Sequence, residues 1–158
     1  MQTLIHSNAG LVHVIAAIGA MLVGTLVVII QKGTRTHRML GYLYFYSMLI
    51  LNGTAFLLYG LLGTFGPFHV AALVSLATLL LGFIPVFRRK PKNKWLIRHF
   101  TFMYYSVVGL YAAFASETLT RIPETPFYTM VSIASVGITL IGVIIYIRFR
   151  PRWAASLK

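Results

Sequence analysis

The chain has 158 residues, of which 58% are hydrophobic and only 10% charged, a balance outside that of soluble domains and diagnostic of an integral membrane protein. It contains no cysteine, which excludes disulfides, thiolate metal sites, thiol nucleophiles and cysteine-linked haem. A net charge of +12 would suggest nucleic-acid binding in a soluble protein, but the placement of these charges argues against such a partner.

Five uncharged or nearly uncharged apolar segments follow one another at roughly 9–30, 39–62, 68–87, 98–117 and 126–147, each near the ~20 residues that cross a bilayer as a helix. Helix is the expected state, because lipid offers the backbone no hydrogen-bonding partner and the runs lack the alternation of barrel strands. The first segment, "AGLVHVIAAIGAMLVGTLVVII", is too long for a signal-peptide core and has no basic stretch before it, so it reads as a retained helix. The loop after it carries Lys32, Arg35 and Arg38. The second segment opens on Tyr42, Tyr44 and Tyr46, the third follows the turn at Gly66 and Pro67, and the loop after the third carries six basic residues from Arg88 to Arg98. The fifth ends in Arg148, Arg150, Arg152 and Lys158. Gly33, Pro91 and Pro151 read as loop punctuation.

Thirteen of the fourteen basic residues therefore fall in the first loop, the third loop and the tail, which lie on one side of a five-helix chain; only Arg121 lies opposite. The positive-inside rule makes that side cytoplasmic and leaves the amino terminus outside. The expectation is one all-α transmembrane domain over residues 1–158, with a four-helix bundle core plus a fifth helix, in the bacterial cytoplasmic membrane. Its charges attract anionic inner-leaflet lipid, and no nucleic acid is expected. Trp95 and Trp153 sit at the cytoplasmic edge as interfacial anchors. Small residues such as Ala16, Gly19, Ala20 and Gly24 allow close helix packing, within the bundle or across a homo-oligomer face.

Ionisable side chains inside such a frame are costly and mark sites. His13 and His69 lie near the outer ends of the first and third segments, and His37 and His99 near the inner ends of the second and fourth. In an up-down bundle those pairs are diagonal, the arrangement that a bis-histidine haem b requires: His13 with His69 outside, His37 with His99 inside. Electron transfer with a membrane redox partner is the function this favours, with Arg35, Arg38 and Arg98 facing lipid or haem propionates. The alternation resembles that of di-haem b-type membrane cytochromes. A second reading gathers His6, His13, His69 and Glu117 into an outer zinc site of a membrane hydrolase. A structural or partner-binding protein without cofactor is the bland alternative, in which the edge histidines face the headgroups as polar caps. Transport has little support, since no segment has a mid-helix proline and the halves do not match. Met103, Tyr104, Tyr105 and Asn52 are lining residues if there is a cavity and packing residues if there is not.

"HVIAAIGAMLVG", "KGTRTHRMLGYLYFYSM" and "KNKWLIRHFTFMYYSVVGLYAA" resemble, in order and spacing, blocks of a family of small bacterial multipass membrane proteins, domain of unknown function 2306. The resemblance runs from Asn8 to Arg121. It implies the fold and the membrane location but no activity, and it carries over His13, His37, Arg38, Gly41, Trp95 and Arg98. Glu117 stands outside its pattern.

Overall fold

In a computed structural model the described residues, 7–59, 63–90, 94–122 and 126–155 without the side chains of Arg152, Ala154 and Ala155, form five α-helices and no strand. They are α1 (Asn8–Ile29), α2 (Arg35–Ala55), α3 (Pro67–Arg88), α4 (Trp95–Leu119) and α5 (Phe127–Ala155). Three helices, α1, α3 and α5 over Phe127–Pro151, are long and apolar enough to cross a membrane. The chain divides into two compact units, Met1–Leu80 and Leu81–Lys158, with the boundary inside α3.

Capping chemistry sets the helix starts, and it places α2 four residues earlier than hydropathy does. Thr34 is extended, and its hydroxyl accepts the His37 N–H at 3.1 Å, so Arg35, His37 and Arg38 belong to the first turn of α2 rather than to a loop. Ser7 caps α1 in the same way through Gly10 N–H. α2 stops at Ala55, short of the expected 62; positions 60–62 lie outside the described residues. At the other end of the chain α5 runs through Pro151 to Ala155, so that proline lies within a helix, not a loop.

Lys32 closes the other end of α1. Its ammonium donates to the Val27, Val28 and Ile30 carbonyls at 3.1, 2.5 and 2.8 Å, placing positive charge where the helix leaves its last carbonyls unmatched. Burial pushes this ammonium below the usual lysine range. A lowered value means that the penalty for holding the charge is present at neutral pH and fades as pH rises through that value.

In the first unit α1 and α2 pack antiparallel, as two contacts fix: His13 meets Thr54, and Gly19 faces Ser47. Small residues Ala16, Ala20 and Gly24 on α1 are buried, as are Tyr44, Met48, Leu51 and Asn52 on α2. Asn52 spends its amide on the Met48 carbonyl at 2.8 Å, which makes it a packing residue.

In the second unit α4 and α5 also run antiparallel. Thr101 bonds Tyr146 hydroxyl at 2.7 Å, Tyr104 hydroxyl donates to the Gly142 carbonyl at 2.9 Å, and Ser116 bonds Ser135 at 3.0 Å. Such interhelical bonds satisfy polar groups that lipid would leave unmatched. Phe100, Tyr104, Tyr146 and Trp153 cluster around the end of this pair where α4 begins.

Gly142 lies where α5 comes closest to α4, since a Cβ there would stand 2.6 Å from Val108 Cγ1 and 2.8 Å from Cγ2. Val108 is β-branched and cannot swing its methyls away without leaving its helical rotamer. Gly142→Ala should therefore lower thermal stability in detergent by about 1–3 kcal/mol, and Val108→Ala in the same chain should restore most of it.

Candidate functional site

His13 sits in the second turn of α1, half-buried, with Nδ1 3.0 Å from Thr54 Oγ1. The threonine hydroxyl has one hydrogen, and the Ile50 and Leu51 carbonyls at 2.8 and 3.0 Å take it. With the hydrogen turned to those carbonyls the oxygen accepts, the arrangement in which Nδ1 of His13 carries the proton.

His99 reaches the same state by another route. Its Nδ1 donates to the Gly82 carbonyl at 2.8 Å, an oxygen that can only accept. That carbonyl stands one residue past Leu81, whose own partner is lost because Pro85 has no N–H and its ring crowds the turn. Gly82 lets α4 approach: a Cβ there would lie 2.9 Å from Met103 Sδ and 3.1 Å from the Met103 backbone nitrogen. An imidazole whose Nδ1–H is held by a carbonyl or hydroxyl presents Nε2 as a ligand or proton acceptor with fixed orientation.

His69 is the opposite case. It is the third residue of α3, and its Nδ1 accepts the Gly66 N–H at 3.0 Å while its own N–H bonds the Gly66 carbonyl at 3.0 Å. The first of these bonds is the half of a capping box in which the third helical residue caps the N-cap N–H, with imidazole in place of the usual carboxylate. The proton must then be on Nε2, which is buried and has no hydrogen-bond partner among the described residues. As placed, His69 does not offer Nε2 to a metal. Pairing it with His13 across a haem would require moving that proton and giving up the Gly66 bond, worth about 1 kcal/mol.

The remaining expected site residues have local surroundings of their own. His37 is half-buried in the first turn of α2. Arg35, Arg38 and Arg98 are exposed, Arg98 over the Phe102 ring at 5.8 Å. His6 lies outside the described residues. Glu117 forms an ion pair with Arg121, just past the end of α4, at 2.8 Å. Among the described residues no three His, Asp or Glu side chains gather into a metal-binding group. Met103 and Tyr104 are buried in the second unit, where Tyr104 serves α4–α5 packing.

A family model described as a predicted membrane protein, DUF2306, matches residues 10–147. The chain belongs to the DUF2306 family. The stretch that matches the DUF2306 model includes His13, His37, His69 and His99, but not His6. No curated protein and no solved structure gives a significant match.

Thr54, Gly82 and the rings around His69 do not stand out in the sequence. Thr54 was within reach, however: a hairpin turning near residues 33 and 34 opposes each position to the one that sums with it to about 67, which pairs 13 with 54. Side-chain nitrogen NMR should find the proton on Nδ1 in His13 and His99 and on Nε2 in His69. Thr54→Val should weaken the Nδ1–H signal of His13 and leave that of His99 unchanged.

Proposed function

We propose that this DUF2306 protein crosses the bacterial cytoplasmic membrane five times, amino terminus outside, and that His13 and His99 are ligands for haem b in electron transfer. The observation that carries the ligand assignment is the shared Nδ1–H anchoring, to Thr54 in one case and Gly82 in the other. The Gly82 carbonyl fixes the tautomer and ring orientation of His99, and the Thr54 hydroxyl anchors the His13 ring through the same nitrogen, the outer-shell bond by which iron-ligating histidines are held. Bound haem would supply one-electron chemistry. The chain's part is to hold these two imidazoles in place, one in each unit.

Antiparallel pairing supports the five spans. α2 is paired with α1 from residue 13 to residue 54, and α4 with α5 from residue 101 to residue 146. A helix zipped to a spanning partner along its length crosses with it, although α2 and α4 are the more polar members. With 21 residues α2 is about 32 Å long, against a hydrocarbon core of about 30 Å. The basic residues then fix orientation, at roughly 1 kcal/mol of attraction each to an anionic leaflet.

An impermeant thiol reagent should label a cysteine at Asn8 in intact cells, whereas one at Lys94 should react only after the membrane is opened. The reverse result would overturn the orientation. Protein purified from haem-supplemented cells should show a Soret band, reduced by about half in His13→Ala and in His99→Ala. A protein without that band ends the haem reading and leaves the topology standing.

A further inference from the structure

His69 presents a feature that helix capping does not explain. With Nδ1 committed to Gly66, its Nε2–H is a donor in a residue only 5% exposed, and among the described residues nothing accepts from it. Around the ring lie Tyr59 at 4.7 Å, Phe65 at 5.0 Å and Phe56 at 6.2 Å between centroids, with Phe65 stacked at 24°. Two of these rings are on the surface: Phe65 is 56% exposed and Tyr59 45%. Both belong to the connection between α2 and α3 rather than to a helix. They can swing outward without breaking helical hydrogen bonds, whereas His69 and Phe56 are held at helix ends.

Such a place has a definite chemical demand. It needs an acceptor, because the unmatched atom is a donor; a neutral one, because the donor is neutral and its neighbours are aromatic; and a flat one, because the space opened by a displaced Phe65 or Tyr59 is that of a stacked ring. α3 is apolar enough to cross the membrane and His69 lies in its first turn, so the site opens at bilayer depth near one surface. We propose that His69 and its aromatic surround bind a membrane quinone, with Nε2–H donating to a quinone carbonyl and the quinone ring stacking in place of Phe65. The proposal uses the membrane placement of α3 but not the haem reading, and it assigns His69 a donor role that iron ligation would forbid.

The test is calorimetric titration of the purified protein in detergent with a short-chain ubiquinone, beside the dimethyl ether of its quinol, which keeps the ring and lacks the carbonyls. Expected are saturable one-to-one binding of the quinone, weak binding of the ether, and a loss of about tenfold or more in His69→Phe, the usual value of one hydrogen bond to a buried donor. His69→Gln, which keeps a donor, should recover most of the affinity, and Phe65→Ala should change it without unfolding the helix. Equal affinity in wild type and His69→Phe, or absence of saturable binding, overturns the proposal. So does displacement of the quinone by short-chain phosphatidylcholine at similar concentration, which would make a lipid ester carbonyl the occupant. Should His69→Phe fail to fold for want of its cap, side-chain nitrogen NMR of the wild type decides. Quinone should shift the His69 Nε2–H resonance and leave that of His13 in place; an unmoved His69 resonance rejects the site.

Discussion

Everything in this chain follows from one constraint: a polar group inside lipid has no solvent to bond, so it must find its partner within the protein. The helices meet that constraint for their backbones, and side chains meet it by reaching back to carbonyls one turn earlier, as Thr25, Thr78 and Thr118 do. Where two helices meet, the same demand draws Tyr104 to Gly142, Thr101 to Tyr146 and Ser116 to Ser135. Small residues bring the backbones close enough for these bonds to form, so packing and polar satisfaction at Gly142 and Gly82 act together. Apolar drive between helices is absent in lipid, which leaves van der Waals contact and such bonds to hold each pair.

The five helices were legible in the sequence because hydropathy over some twenty residues is a strong signal. Their ends were not, because ends are set by single capping contacts that hydropathy averages away. Thr34 moves the start of α2 to Arg35 and turns an apparent loop cluster of Arg35, His37 and Arg38 into a helical first turn. Pro151 reads as a terminator, yet α5 continues past it, since near a helix end its missing N–H leaves only one carbonyl without a partner. The two more polar helices, α2 and α4, are less apolar for an identifiable reason. Each carries basic residues in its first turn and polar side chains directed at a neighbouring helix.

The site was legible by residue type and not by role. Histidine position along the chain identified His13, His69, His37 and His99 as the residues to watch, but it could not separate a ligand nitrogen from a capping nitrogen. That difference depends on what each Nδ1 meets. Thr54 is 41 residues from His13 and Gly82 is 17 residues from His99, so both partners come from another helix. Only the packed hairpin brings them into reach. The zinc grouping shows the same limit from the other direction, because Glu117 has an arginine one turn away, a local pairing that a search for distant ligands overlooks.

Position on the helix explains why the tautomers differ. A helix N-terminus has surplus N–H groups and no surplus carbonyls. A histidine three residues into α3 therefore meets a donor, Gly66 N–H, and is driven to accept through Nδ1, which sends its proton to Nε2. His13 and His99 lie beyond the caps of their own helices and meet oxygens with lone pairs to offer, a threonine hydroxyl already donating elsewhere and a carbonyl beside a proline turn. The His99 proton is drawn to Nδ1 by the carbonyl, and the Thr54 hydroxyl does the same for His13 when its own hydrogen is turned to Ile50 and Leu51. One residue type thus yields a hydrogen-bond donor at His69 and rings anchored through Nδ1 at His13 and His99, and the local supply of donors and acceptors at each position decides which.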